Sequence, residues 1–380
     1  MEIPGLFPPL WQMILRHVSI TDFKNIAEAS IDFCDKLNCM LGDNGMGKSN
    51  LLDAIYVLSY TKSFAGTPDN MLIRRGCPWA HLHADYLRHD AEDDINVVLS
   101  PGHKSFKRGG KEYRRLSSHI GLFPAVLVSP SDMNLVSGAA EVRRRFIDMV
   151  ISQVDSHYLE HLIRYNRALE QRNRMLKDSS ADFLLFDTIE SGMDISSRYI
   201  IEARRCHIRR LAELHHRYYG IIAGDSETVT MDYRGPLDGT TDASIADALS
   251  RNRDRDRLLG YTAMGIHRDD VDVAVNGLPL RRTASQGQAK TFTIALRMAQ
   301  YRFLVESTGL KPLLLLDDIF DKLDATRVSR IIALVASEDF GQIFITDTNR
   351  RHLDEIPGHL AADAPCRMWR VTDGTFEQLP

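Results

Sequence analysis

The chain has 380 residues, enough for two or three domains at roughly 150 residues each. Hydrophobic residues make up 44% and charged residues 26%, an ordinary globular composition that excludes chain-wide disorder; apolar runs such as Leu313–Leu316 fall far short of the ~20 residues that a bilayer span needs, so no membrane association is expected. Lysine plus arginine count 47 against 51 acids, a net charge of -4, so global charge does not announce a nucleic-acid partner and the local distribution has to be read instead.

The start, MEIPGLFPPLWQM, lacks a basic segment followed by an apolar stretch and does not read as a secretory signal. Its prolines Pro4, Pro8 and Pro9 predict a loose extension over 1–12, with Met13 a conceivable alternative start. The five cysteines (Cys34, Cys39, Cys77, Cys206, Cys366) include no CxxC pair, which points away from zinc and disulfide frameworks and toward a reduced, cytoplasmic setting. MILRHVSI and ASIDF alternate like paired strands, and LNCML (37–41) reads as a buried strand. A glycine-rich turn and a helix over 49–58 follow. Strand pieces return at 80–87 and 95–99, and Gly109-Gly110 within FKRGGKEYRR signals a hairpin. From 141 to about 259 the pattern changes to long Arg-rich amphipathic helices with no comparable strands. Asn276-Gly277 marks another hairpin; a helix (286–305), an apolar strand (312–316), a helix (325–335) and a strand (342–346) complete the chain. Strand-rich ends thus bracket a helical middle. The expected boundaries are 13–140 and 261–380 for a split α/β domain and 141–260 for the helical insertion.

The chemistry concentrates in the strand-rich ends. Gly42-Asp43-Asn44-Gly45-Met46-Gly47-Lys48-Ser49 matches the phosphate-loop pattern G-x-x-x-x-G-K-[ST], with an apolar strand before it and a helix after. Its glycines let backbone N–H groups converge on an anion, and the helix N-terminus adds its positive dipole end. Lys48 is placed to reach β- and γ-phosphates and the Ser49 hydroxyl to ligate Mg²⁺, which makes ATP with Mg²⁺ the expected cofactor pair. LLLLDD (313–318) supplies a buried strand with carboxylates at its C-terminal end; Asp317 is expected to hold Mg²⁺, directly or through water, and Asp318 to orient or deprotonate the attacking water. The long interval between Ser49 and Asp317 requires a large excursion from the sheet. Ser285 and Gln288 have the S-x-x-Q spacing of a capping box, so Ser285-Gln286-Gly287-Gln288 reads either as a well-capped helix start or as a site motif.

That stretch is similar to the signature motif of ABC ATPases and their SMC and Rad50 relatives, and Asp321-Lys322-Leu323-Asp324 sits where those proteins carry a D-loop. With ITDFKN, GDNGMGKSNLLDAI, LVSPSDMNLVSG…RRRFID, GIHRDD, ASQGQAKT and LLLLDDIFDKLD in this order, the chain from Met13 onward resembles the RecF family of bacterial recombination mediators. The resemblance implies an ABC-type P-loop ATPase head split in sequence, with an inserted, mostly helical lid. It further implies an ATP-dependent homodimer in which Ser285, Gly287 and Gln288 of one subunit face the nucleotide of the other. Slow ATP hydrolysis, DNA at gaps and single-strand/double-strand junctions, and RecO- and RecR-like partners in repair, replication and the SOS response complete what it implies. Lys24 and Asn25 match positions near the nucleotide. Asp318 replaces the usual catalytic glutamate, Thr346-Asp347 stands where transporters carry a histidine, and Ser131 is a small departure. His267 and Arg268 read equally as interface residues or as a hinge.

Three stretches are locally basic: Lys104–Arg115 with six cations against one acid, Arg143–Lys177 with eight against four, and Arg198–Arg217 with six against two. Arg204, Arg205, Arg209 and Arg210 partly share a helix face. Such stretches give sequence-independent phosphate contact, or are solvated faces; no base-reading motif accompanies them. An SMC-type tether would need long heptad arrays, and a transporter ATPase a double-glycine signature and a shorter interval; both are missing here.

Overall fold

The structure, a computed structural model, describes residues 11–178, 183–224, 227–321, 323–361 and 363–380. The extension read over 1–12 lies outside these except for Trp11 and Gln12, which already belong to the first strand, Trp11–Phe23. The chain forms two compact units: 1–132 with 221–223 and 286–380, and 133–220 with 224–285.

The first unit contains two sheets. One runs Thr375–Leu379, Cys366–Thr372, Leu37–Leu41, Ile343–Asp347, Leu313–Asp317, Ala125–Val128. Its inner pairs are parallel, and the Leu313–Asp317 and Ile343–Asp347 strands are buried at every residue. A parallel sheet covered on both faces demands such near-continuous apolar runs. The other sheet is mainly antiparallel and joins Trp11–Phe23 to Ile26–Asp32 and Ala80–Arg88, then Ala91–Ser100, His103–Arg108 and Lys111–Glu112. Gln342 ties the two together. Its Oε1 accepts the Leu15 N–H at 2.7 Å and its Nε2 donates to the carbonyls of Leu15 at 2.9 Å and Cys34 at 2.8 Å, beside a register shift between Leu15 and His17. A bulge leaves ladder groups unpaired, and this buried amide satisfies them.

The second unit is mostly helical, with Ala140–Ser152, Ser156–Leu176 and the 41-residue Phe183–Ala223 dominating. It is wider than the 141–260 span read from the sequence, because it also takes in 133–140 and 261–285. Nor is it free of strands: Val229–Arg234 pairs with Asp270–Val275, which pairs with Leu278–Pro279. The hairpin at Asn276-Gly277 therefore belongs here, its partner strand lying across the helices in sequence. The unit's interior is held by ionic networks. Arg172, fully buried, donates to Glu190 at 2.9 Å, Asp256 at 2.7 Å, Thr262 at 2.7 Å and the Leu249 carbonyl at 3.2 Å. Arg143 grips Asp270 with two 2.8 Å bonds, and Arg204 reaches Asp148, Asp269 and the Ile266 carbonyl.

Candidate functional site

Strand register assembles the site. Asp317 is paired with Thr346, Thr346 with Met40, and Asp347 with Leu41, so three parallel strands end side by side at the start of the glycine loop. The C-terminal ends of parallel strands are where open α/β sheets bind ligands. The Ser49 hydroxyl donates to Asp317 Oδ1 at 2.8 Å across 268 residues of sequence, and the Thr346 hydroxyl donates to the same oxygen at 2.7 Å. Asp317 and Thr346 are buried.

The loop is shaped by close backbone approaches. Gly45 and Gly47 have φ of 83° and 112°, values costly for any residue with a Cβ. A Cβ on Gly42 would lie 2.4 Å from the Val371 carbonyl oxygen, and one on Gly47 3.0 Å from the Asn25 side chain. Lys48 Nζ donates back to the carbonyls of Gly42 at 2.6 Å and Asp43 at 2.9 Å. Burial lowers the Lys48 pKa, against the opposing pull of Asp318, Asp317, Asp347 and Asp43. Asn25 donates to the Gly45 carbonyl at 3.3 Å and accepts from Asn50 at 2.7 Å, so it braces the loop. Lys24 does not extend toward it; its ammonium pairs with the buried Asp53 at 2.5 Å. A further brace escaped the sequence reading. Asp373-Gly374, both with φ > 0, turns the hairpin Cys366–Thr372/Thr375–Leu379, and the Gly374 N–H donates to the Met46 carbonyl at 2.8 Å. The Asp-Gly pair between alternating segments was the available signal.

Asp318 has φ of 49°, and its N–H points to Thr346, 3.2 Å from both the hydroxyl and the carbonyl oxygen. Burial first, then the neighbouring Asp347 and Asp317, raise its pKa; Lys48 and Lys290 pull it down. Asp347 is buried and committed: Oδ1 accepts the Asn349 N–H at 2.8 Å and Oδ2 meets His352 Nδ1 at 2.9 Å. The residue standing where transporters have a histidine thus holds a histidine from the following helix.

Gly287 and Gln288, half-buried, lie in the first turn of the helix Gln286–Thr308, and the exposed Ser285 precedes it. Lys290 of this helix donates to the Asp321 carbonyl, linking it to the segment after Asp318; Lys322 lies outside the described residues. Asp132 of the Ser-Pro-Ser-Asp motif accepts from Arg297 of the same helix, while the Ser131 and Ser129 hydroxyls bond at 2.6 Å. His267 is half-buried: Nδ1 accepts from the Tyr165 hydroxyl at 2.8 Å and Nε2 donates to the Thr262 carbonyl at 3.0 Å, within the second unit. Of the arginines read as a basic face, Arg204 is withdrawn. It is 2% exposed and spent on carboxylates, whereas Arg205, Arg209 and Arg210 are exposed. Arg143 and Arg172 are buried likewise. Counting charge along a helix could not separate these arginines, because their partners come from distant segments.

A strand, glycine loop and helix with an acidic strand end hydrogen-bonded to the loop serine define a P-loop nucleotide-binding head. The model of the RecF/RecN/SMC N-terminal domain matches residues 14–362. The chain is 44% identical to the DNA replication and repair protein RecF of Parabacteroides distasonis, over 97% of this chain and 100% of that one. It is 44% identical to that of Porphyromonas gingivalis W83, over 96% and 100%. Among solved structures, the recombination mediator protein RecF with ATP, in the RecFOR pathway, superposes with a TM-score of 0.85 at 27% identity, covering 97% of this chain and 100% of that one. An Smc head from Pyrococcus furiosus, at 17% identity and TM-score 0.57, covers 97% and 96% and shares the fold. The chain belongs to the RecF family of DNA replication and repair proteins.

Proposed function

We propose that this head binds ATP with Mg²⁺ and uses it to join two copies of the chain on DNA, at gaps and single-strand/double-strand junctions, in concert with RecO- and RecR-like mediators. The observation that carries the nucleotide part is the 2.8 Å bond between Ser49 and Asp317. One hydroxyl and one carboxylate form a hard-oxygen donor pair that suits Mg²⁺, a cation that keeps waters and phosphate oxygens as its other ligands. Bound there, Mg²⁺ supplies charge neutralisation for the phosphates. The loop N–H groups cradle the polyphosphate, and Lys48, by rotating about its side chain, exchanges carbonyl acceptors for phosphate oxygens. The relative solved with ATP supports this assignment.

Ser285, Gly287 and Gln288 belong, in this reading, to the partner's nucleotide: the start of a 23-residue helix presents its positive dipole end to a γ-phosphate. Asp318 is the general base or water-orienting group. Its side chain is shorter than the glutamate usual in ABC ATPases and holds the attacking water less closely, so turnover is slow and the nucleotide acts as a switch. Light scattering with and without ATP tests the model. The wild type is expected to shift to a dimer with ATP, and Lys48→Met to remain monomeric; DNA binding without any ATP-dependent dimer would sink it.

A further inference from the structure

We propose that a basic pocket on the hairpin His103–Arg108/Lys111–Glu112 is a binding site for the phosphodiester backbone of DNA. The proposal rests on the DNA reading above and gives it a location on the unit that carries the nucleotide loop. The cavity measures about 520 Å³, and its lining includes Arg108, Lys111, Glu112, Tyr113, Arg114 and Arg115. Four of these six are cations and one is an acid. Arg108 is neutralised by Asp93, which accepts from Nε at 2.8 Å and from Nη2 at 2.6 Å. Lys111, Arg114 and Arg115 are exposed, and none of the three is in an ion pair with another described residue. Uncompensated like charges gathered on one concavity repel one another, an arrangement the hairpin does not need for its own pairing. A polyanion relieves it.

The surroundings are rigid. Gly109 and Gly110, both at positive φ, close the hairpin. The Tyr113 N–H donates to the Phe106 carbonyl at 3.0 Å, and its hydroxyl donates to His119 Nδ1 at 3.0 Å. His119 Nε2 in turn donates to the carbonyl of Leu58, in the helix that follows the nucleotide loop, at 2.7 Å. The cations therefore stand on a floor fixed to the core, which lowers the ordering cost of binding. The exposed cluster on the helix Phe183–Ala223 compares poorly. Its concavity holds Arg205, Arg209 and Arg210 with Glu202 and Glu213, and Arg210 pairs with Glu213 at 2.7 Å while Arg205 pairs with Asp238 at 3.2 Å.

The test is a salt series of affinity for gapped duplex DNA, with ATP, comparing wild type with the variant Lys111→Gln/Arg114→Gln/Arg115→Gln. The variant is expected to bind at least tenfold more weakly near roughly 0.1 M salt, with the slope of log affinity against log salt reduced by about 0.9 per lost contact. Lys111→Arg/Arg114→Lys/Arg115→Lys is expected to restore both, and ATP-dependent dimerisation to persist in each. Unchanged affinity and slope in the glutamine variant, with wild type binding normally, would overturn the proposal alone. A wild type that binds no DNA would overturn the DNA reading and the proposal with it.

Discussion

Asp318 shows how much of this site depends on a single backbone torsion. At φ 49° it occupies a region that asparagine and aspartate enter more readily than other side chains, and that placement directs its N–H to Thr346. Asp318→Asn keeps the size and the tolerance for this torsion but removes the base. It is expected to leave nucleotide binding intact and to lower steady-state ATP hydrolysis by about 10² or more. Full hydrolysis in the asparagine variant would remove Asp318 from the reaction. The residues of the phosphate loop, Asp317 and Asp318 could be read from the sequence because loop geometry and strand-end acidity are local properties. The contacts by which Asn25 and Gly374 brace the loop, and Thr346 as a partner of Asp317, could not, since each joins segments far apart in sequence.

At the level of elements, turns and periodicity served well where local chemistry decides and failed where it does not. The hairpins at Gly109-Gly110 and Asn276-Gly277 were legible from their dipeptides. The turn His89-Asp90, with φ of 51° and 58°, was not, because neither residue is the usual glycine. Val229–Arg234 was lost inside a helical region because a short strand flanked by helices carries little periodic signal. The helix Lys48–Tyr60 has a further anchor with a pH signature. His119 is buried and accepts and donates as a neutral ring, so burial pushes its pKa down to about 4 from an ordinary 6.5. A histidine whose folded pKa is depressed binds protons more readily when unfolded. Its contribution is whole above about pH 6.5 and is lost as pH falls toward 4, a difference of about 3 kcal/mol. Denaturant unfolding between pH 7 and 4.5 should show this loss, and His119→Phe should flatten it. His267, also near 4, acts in the same direction, whereas Asp269, raised to about 6 by burial, acts in the opposite one, so the second unit is the less informative place to look. A profile unaltered by the substitution would contradict the assignment.

For the whole molecule, the split of one head across the chain is the feature on which function turns. The sequence interval between Ser49 and Asp317 required an inserted domain, and the fold supplies one, wider than its helices alone suggested because a three-stranded sheet closes it. The division at 132/133 and 285/286 leaves Ser285 and Gln286, adjacent in the signature-like stretch, in different units. The central claim is that two stretches 268 residues apart form one pocket for a triphosphate and its magnesium. Its most direct test is a double-mutant cycle on Mg²⁺-dependent ATP affinity with Ser49→Ala, Asp317→Asn and the double variant. Groups that share one metal lose it together, so the double variant should be little weaker than the worse single one, a coupling of about 1 kcal/mol or more. Single losses that simply add would mean that Ser49 and Asp317 act independently, and the shared pocket would be refuted.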